Sequence, residues 1–172
     1  SILNWMALLL NNFGNLSQAM KYFDQAEPII AAIENDTERA TTQALTAQFY
    51  MLTGRSDKAI SLVRNSVKIW EKLNNKPKLT EALLVLAELL FHKSDLTQAQ
   101  RLLDEVDQLT QDEEESLPRA QYYNLMGSVC FKKEQLDDAQ DWLERSADLN
   151  KRIQNPAIQI ANLINLSWVR FN

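Results

Sequence analysis

The chain has 172 residues, of which 45% are hydrophobic and 24% are charged, and only three are glycine, a composition that excludes a disordered chain and favours a helical fold. Its net charge of −5 argues against a nucleic-acid partner, because binding to a phosphate backbone needs clustered lysine and arginine. Apolar runs such as residues 6–10 are far too short for membrane insertion.

Apolar residues recur at helical spacing along the whole chain and predict about nine helices. Proline at the first turn supports three of the predicted starts, at Pro77, Pro118 and Pro156, and Asn155 is a predicted N-cap. Pro28 falls inside the second helix, where we expect a bend rather than an end. The predicted helices begin at about residues 2, 16, 37, 56, 78, 96, 118, 136 and 156.

Small residues recur with a period of 40 along these helices. One series is Ala19, Ala59, Ala99 and Ala139, and the other, 12 residues upstream, is Ala7, Ala47, Ala87 and Gly127. One member of each series, such as Ala7 and Ala19, lies at the same distance from the turn between them. The two residues should therefore face each other across an antiparallel helix pair. The sequence therefore predicts a single helical-repeat domain over residues 1–172. Its predicted hairpin repeats are residues 1–36, 37–76, 77–116 and 117–155, followed by an unpaired helix over 156–172.

Three further sets of positions share this period and are mainly apolar, which predicts that they are core positions. The first set is Leu10, Tyr50, Leu90 and Cys130. The second is Phe23, Val63, Leu103 and Leu143. The third is Leu16, Ser56, Leu96 and Leu136, in which Ser56 is the exception.

The pattern resembles the tetratricopeptide repeat, which is described by W-x2-L-G-x2-Y in its first helix and A-x3-F-x2-A in its second. The best matches are Ala19-x3-Phe23-x2-Ala26 and Tyr123-x2-Met126-Gly127-x2-Cys130. The period of 40 exceeds the usual 34, so the chain resembles a variant with longer helices. The resemblance implies a right-handed superhelical solenoid of antiparallel helix hairpins. It also implies a concave groove, lined by the first helices, along which partners lie.

Carried over by register, the resemblance gives a set of candidate partner-binding residues in the concave groove. They are Trp5, Asn12, Gln48, Met51, Glu88, Phe91, His92, Asn124, Ser128, Phe131 and Trp168. The same register places Lys132 and Asn165 on the groove side. The leucines on this side, such as Leu45, Leu84 and Leu125, have a second interpretation, which is packing against the next repeat. Aromatic and amide side chains together suit a peptide partner.

Catalytic and metal sites find little support in the sequence. His92 is the only histidine, which excludes a two-histidine relay and a histidine-rich metal site. Cys130 is either a nucleophile or a packing residue, and the apolar residues at its repeat position favour packing. The glycines stand alone, so there is no phosphate-binding loop, and we expect no cofactor and no enzymatic activity. The chaperone-binding members of the family grip a carboxylate with lysine and asparagine, but the matching first-helix positions carry no lysine.

The leading hypothesis is a cytoplasmic, non-catalytic scaffold that binds a protein or peptide. The alternative is a signal-sensing input domain of a larger bacterial transcriptional or signalling regulator, because the chain also resembles the helical-repeat segments of such proteins. A third possibility is self-association through the apolar C-terminal helix. That helix and the missing basic leader lead us to expect that residues 1–172 were cut from a longer, non-secreted chain.

Overall fold

The computed structural model describes the backbone of residues 16–113 and 115–171, and the side chains of 21–113, 115–156 and 158–169. This part of the chain contains eight α-helices and no strand. The helices are α1 Leu16–Ala31, α2 Asp36–Leu52, α3 Ser56–Lys72, α4 Lys76–His92, α5 Leu96–Thr110, α6 Leu117–Lys132, α7 Leu136–Ile153 and α8 Pro156–Phe171. Each begins within two residues of its predicted start. The predicted helix from residue 2 lies outside the described residues.

The chain divides into two compact units, Ser1–Asn75 and Lys76–Asn172. In the first, α2 and α3 form a hairpin, and α1 packs on α2 through the ring of Phe23, which stacks on Phe49 with 3.7 Å between centroids. In the second, α4 pairs with α5, α6 pairs with α7, and α8 packs on both α6 and α7. The helix α6 also contacts α4, so the first helices α4, α6 and α8 are neighbours.

Five described helix turns share one backbone conformation, at intervals of 20 or 40 residues. Gly54, Asn74, Ser94, Glu134 and Gln154 all have positive φ, between 50° and 73°. At Glu134 the N–H bonds the carbonyl of Phe131, and the following N–H bonds the carbonyl of Cys130, both at 3.0 Å. This pair of bonds is the Schellman motif, which satisfies the last carbonyls of a helix. Equivalent pairs of bonds end α2, α3 and α4.

At the starts of several helices, a side chain accepts a hydrogen bond from one of the first backbone N–H groups, which have no partner within the helix. Asn35 accepts a hydrogen bond from the N–H of Glu38 at 2.9 Å, and Asp95 accepts one from Gln98 at 3.1 Å. Asn155 accepts from the N–H of Ile158 at 3.1 Å, so its predicted role as an N-cap is confirmed. These three caps stabilise the starts of α2, α5 and α8.

The small residues that recur every 40 positions lie where the two helices of each hairpin meet. Ala47, Ala59, Ala87, Ala99 and Ala139 are completely buried. A Cβ atom added to Gly127 would lie 2.6 Å from Cγ of Leu143 and 3.2 Å from the carbonyl oxygen of Ala139. Gly127 therefore permits the close approach of α6 and α7 that the sequence predicted. The side chains of Ala7 and Ala19 lie outside the described residues.

Among the described side chains, two of the three predicted sets are core positions, and Leu10 and Leu16 lie outside the side chains described. Tyr50, Leu90 and Cys130 are buried, and Phe23 with its three repeat equivalents is buried too. The prediction for the third set was wrong, because Ser56 and Leu96 are half-buried and Leu136 is 38% exposed. These three residues begin their helices at the rim of a turn, where an apolar side chain is covered on one side only.

The helix α1 continues through Pro28 and ends at Ala31, so the proline does not stop it.

A cluster of charges joins α1 to the α2–α3 hairpin. Asp24 accepts hydrogen bonds from Lys58 Nζ at 2.8 Å, from Arg55 Nη1 at 2.7 Å and from the hydroxyl of Tyr50 at 3.3 Å. The hydrogen bond from Lys58, which is the largest cause, and the one from Arg55 lower the pKa of Asp24 to about 2.

Candidate functional site

A pocket of about 250 Å³ lies in the unit Lys76–Asn172, between α4, α6 and α8, each of which is the first helix of its repeat. Phe91 of α4, Phe131 of α6 and Trp168 of α8 supply aromatic walls, and Leu143 of α7 also lines the pocket. Its polar lining consists of Ser128, Lys132 and Asn165. A concave, mainly apolar pocket with a few polar groups is the usual form of a ligand site.

Lys132 connects α6 to α4 at the edge of the pocket. Its ammonium lies 4.3 Å from the centroid of the Phe91 ring and donates a hydrogen bond to the carbonyl oxygen of Phe91 at 3.1 Å. The ring face attracts the cation, and the carbonyl bond holds it in place. The pocket therefore has a positive charge at its rim in a chain that is acidic overall.

Amide side chains connect α6 to α8 along the same face. Asn124 donates to the side-chain oxygen of Asn162, which is 1% exposed. Asn165 donates to the hydroxyl of Ser128 at 3.1 Å and to the side-chain oxygen of Asn124 at 3.4 Å. Among the described residues, Nδ2 of Asn162 has no hydrogen-bond partner. This network puts donors and acceptors of the peptide type directly beside the aromatic walls.

Residues 78–152, which include most of this site, match the family model described as tetratricopeptide repeat. This segment has the sequence pattern of tetratricopeptide repeats. Comparison with curated protein sequences gives no match. Of the two motif matches found in the sequence, Tyr123-x2-Met126-Gly127-x2-Cys130 lies inside this segment and Ala19-x3-Phe23-x2-Ala26 lies outside it.

Solved structures extend the tetratricopeptide-like fold to nearly the whole chain. BtubC (BKLC) from P. vanneervenii superposes with a TM-score of 0.77 at 22% identity, over 95% of this chain and 68% of BtubC. A kinesin light chain of Podospora anserina, with nearly identical TPR-like repeats, gives 0.75 at 18% identity, over 96% of this chain and 82% of its own. The apo form of RapI gives 0.74 at 13% identity, over 90% of this chain and 43% of RapI. These likenesses confirm the predicted all-α solenoid class of fold.

Four of the residues predicted for the tetratricopeptide groove line the pocket together: Phe91, Ser128, Phe131 and Trp168. Asn124 adjoins them through its bond to Asn165. Glu88 and His92 are exposed on α4, where His92 Nε2 lies 3.9 Å from Glu88 Oε1, and neither lines the pocket.

The remaining predicted residues lie elsewhere. Gln48, which is exposed, and Met51, which is half-buried, are on α2 of the other unit. Trp5 and Asn12 lie outside the described residues. Their role in binding stays a prediction.

Three lining residues were not among the candidates selected from the sequence. Lys132 and Asn165 were on the groove side by register, but register alone does not distinguish a residue in a pocket from one beside it. Leu143 was assigned to the hairpin core, where it is completely buried, and it also lines the pocket. A core residue of this kind cannot be recognised as part of a pocket without the positions of its neighbours.

The chemistry of the described residues offers little for catalysis. Cys130 is buried, and burial raises the pKa of its thiol, which disfavours the reactive thiolate. No group of three or more metal-binding side chains converges within the described part of the chain. None of the helices described here is long and apolar enough to cross a membrane.

Proposed function

We propose that the protein is a non-catalytic, cytoplasmic scaffold that binds a protein or peptide segment in the pocket between α4, α6 and α8. The observation that carries the proposal is the pocket itself, in which side chains of three successive first helices converge. Tetratricopeptide repeats over residues 78–152 support it, because that class of repeat commonly binds proteins.

The lining of the pocket favours a peptide that inserts one apolar anchor. Phe91, Phe131 and Trp168 offer rings that can pack around an apolar or aromatic side chain. Asn165 and Ser128 stand beside these rings and can exchange their mutual hydrogen bond for bonds to a peptide main chain. Glu88, His92 and Asn124 would then contact the residues that flank the anchor.

A random peptide library tests the proposal, because its use requires no assumption about the sequence of the partner. Peptides selected from a displayed library on the intact chain would be measured by isothermal titration against Phe91→Ala and Phe131→Ala. We expect each substitution to weaken binding by about tenfold or more, because it removes a ring from a desolvated pocket.

Tyr22→Ala is the matched control, since Tyr22 is an aromatic residue of α1 that is 49% exposed. This variant should bind the selected peptides as the unchanged chain does. Thermal unfolding of each variant shows whether the fold is retained, and Asn165→Ala probes the polar side without removing a ring. Failure to select any peptide, or unchanged affinity in both phenylalanine variants, would reject the proposal.

A signal-sensing input domain of a larger regulator is the second candidate function. The supporting observation is the likeness to RapI, of which this chain covers only 43%. The gene sequence around residues 1–172 distinguishes the candidates. An adjoining helix-turn-helix or cyclase domain favours the regulator, whereas a short free-standing repeat protein favours the scaffold.

A further inference from the structure

Asn165 of α8 holds a side-chain amide at the wall of the pocket, one helix turn before Trp168. Both residues line the pocket, and Asn165 is half-buried. Its Nδ2 donates to Ser128 Oγ at 3.1 Å and to Asn124 Oδ1 at 3.4 Å. Its Oδ1 has no hydrogen-bond donor among the residues that the structure describes. The amide therefore uses its donor end within the protein and keeps its acceptor end for another group.

The hydroxyl of Ser128 fixes which end of this amide is the donor. The oxygen and nitrogen of an amide have nearly the same shape, so the orientation follows from the hydrogen-bond partners. A serine hydroxyl has one proton, and Ser128 donates it to the backbone carbonyl of Asn124 at 3.0 Å. Ser128 Oγ can therefore only accept a bond from Asn165. This requirement turns Nδ2 of Asn165 towards Ser128 and Oδ1 away from it.

The neighbouring amides follow the same direction. Asn124 accepts the bond from Asn165 with its Oδ1 and donates through Nδ2 to the side-chain oxygen of the buried Asn162. The donors thus run from α8 to α6 and back to α8. Reversal of Asn165 would place its oxygen against Ser128 Oγ, whose proton is already used. The network therefore leaves the oxygen of Asn165 as an acceptor for a group in the pocket.

The charge of Lys132 excludes one class of group from the pocket. Three aromatic rings around a pocket ordinarily suit a cation such as an ammonium group. Here the Lys132 ammonium already lies 4.3 Å from the centroid of the Phe91 ring. A second positive charge in the pocket would be repelled by the first, and more strongly as water is displaced. The group that donates to Asn165 must therefore be neutral.

We propose that the pocket selects an aromatic anchor with a neutral hydrogen-bond donor, the side chain of tyrosine or tryptophan, over phenylalanine and aliphatic anchors. This inference rests on the peptide-binding function proposed above and names the anchor. The anchor packs among the three aromatic rings, and its O–H or N–H donates to Oδ1 of Asn165. Asn165 then determines the specificity, and Ser128 is the residue that positions its amide.

The test uses peptides selected from the displayed random library whose binding to the intact chain is weakened by Phe91→Ala. The anchor of each peptide is the position at which alanine weakens binding most, and we expect tyrosine or tryptophan there. A tyrosine anchor is then replaced by phenylalanine, and a tryptophan anchor by naphthylalanine. Either change should weaken binding by about three- to tenfold, because it removes one hydrogen bond and keeps the rings. Isothermal titration measures this preference.

Variants of the chain assign the preference to Asn165. In Asn165→Leu, which has no polar side-chain atom, the two peptides of each pair should bind equally. Asn165→Asp keeps an acceptor oxygen and should retain the preference. Gln121→Leu is the matched control, since Gln121 is an exposed amide residue of α6 outside the pocket, and it should leave the preference unchanged. Thermal unfolding shows whether each variant is folded.

Two variants test the positioning role of Ser128. Ser128→Ala allows the amide of Asn165 to turn, so it should reduce the preference and leave the binding of the phenylalanine peptide nearly unchanged. Ser128→Thr keeps the hydroxyl and should restore the preference. A merely structural role would weaken both peptides of a pair alike.

Other outcomes overturn the inference at distinguishable steps. Phenylalanine anchors that bind as tightly as tyrosine, while Phe91→Ala still weakens binding, would refute the selected anchor and leave the peptide pocket standing. A preference that persists in Asn165→Leu would show that the donor meets another group. Lysine or arginine anchors would contradict the exclusion of a second cation. Peptides unaffected by both Phe91→Ala and Phe131→Ala would reject the pocket itself, and the anchor with it.

Discussion

Among the residues that the structure describes, four other than glycine adopt the left-handed conformation where helices turn: Asn74, Ser94, Glu134 and Gln154. For residues with a Cβ atom this conformation costs roughly 1–2 kcal/mol, which the packing of the helices offsets, together with the two Schellman hydrogen bonds at Asn74, Ser94 and Glu134. The turns therefore contain strain at identifiable positions. Glu134 is the clearest of these, since its side chain is exposed.

Glu134→Gly should stabilise the chain by about 0.5–1 kcal/mol. Glycine removes the left-handed strain, and its greater freedom in the unfolded chain subtracts part of the gain. Urea unfolding measures the difference. Glu134→Ala is the control, because alanine keeps the strained conformation and should give no comparable gain. Equal stability of the glycine and alanine variants would contradict this account.

At the scale of the helices, packing follows from which small residues face one another, and charges then connect one element to the next. Gly127 and Ala139 let α6 and α7 approach, and Lys132 and the asparagine network join α6 to α4 and α8. In the first unit, the cluster around Asp24 joins α1 to the α2–α3 hairpin. These polar contacts join neighbouring helices outside the apolar contact between the two helices of a hairpin.

The contribution of Asp24 should depend on pH. Its folded-state pKa, about 2, lies below the ordinary value of 3.8, so its stabilising effect is complete above 3.8 and is lost as the pH falls towards 2. Asp24→Asn should therefore destabilise the chain at pH 7 and lose this effect near pH 2. Because Asp24 and Lys58 are each 40% exposed, we expect the substitution to lower the free energy of unfolding at pH 7 by less than about 1 kcal/mol.

Urea midpoints at neutral, intermediate and low pH measure this dependence. Lys58→Met provides the control background, since the bond from Lys58 is the largest cause of the lowered pKa. In that background Asp24→Asn should have a smaller effect at pH 7. An effect of Asp24→Asn that is the same at every pH would show that the charge is not responsible.

At the scale of the whole molecule, the chain consists of two units, each with its own buried residues. In repeat proteins each hairpin contacts only its neighbours, so stability is close to a sum of local terms. The unit Lys76–Asn172 contains two complete hairpins, α8 and the entire pocket. It has the parts that a separately folding, binding-competent fragment needs.

Residues 76–172 expressed alone should fold into a helical domain that unfolds cooperatively, because its two hairpins and α8 bury their own core. Circular dichroism during heating measures this. The fragment should also bind the library-selected peptides with the affinity of the whole chain. A folded fragment that does not bind them would show that residues before 76 contribute to the site.

The sequence by itself determined the helices, their pairing and the class of fold. Close approach of two helices requires small residues at matching distances from a turn, so the recurrence of alanine and glycine every 40 residues specifies the hairpins. The same register was enough to place Phe91, Ser128, Phe131 and Trp168 on one side of their helices. It failed for Leu136 and its equivalents, since periodicity does not distinguish the rim of a turn from the core.

Only the tertiary structure decided which side chains meet. The contact of Lys132 with Phe91, the bonds of Asn165, and the exposure of Leu163 depend on how each helix is rotated against neighbours that are distant in sequence. The left-handed residues also escaped prediction, because glutamate and serine carry no signal for that conformation. A local pattern specifies the repeat, whereas a site made from several helices exists only once they are packed.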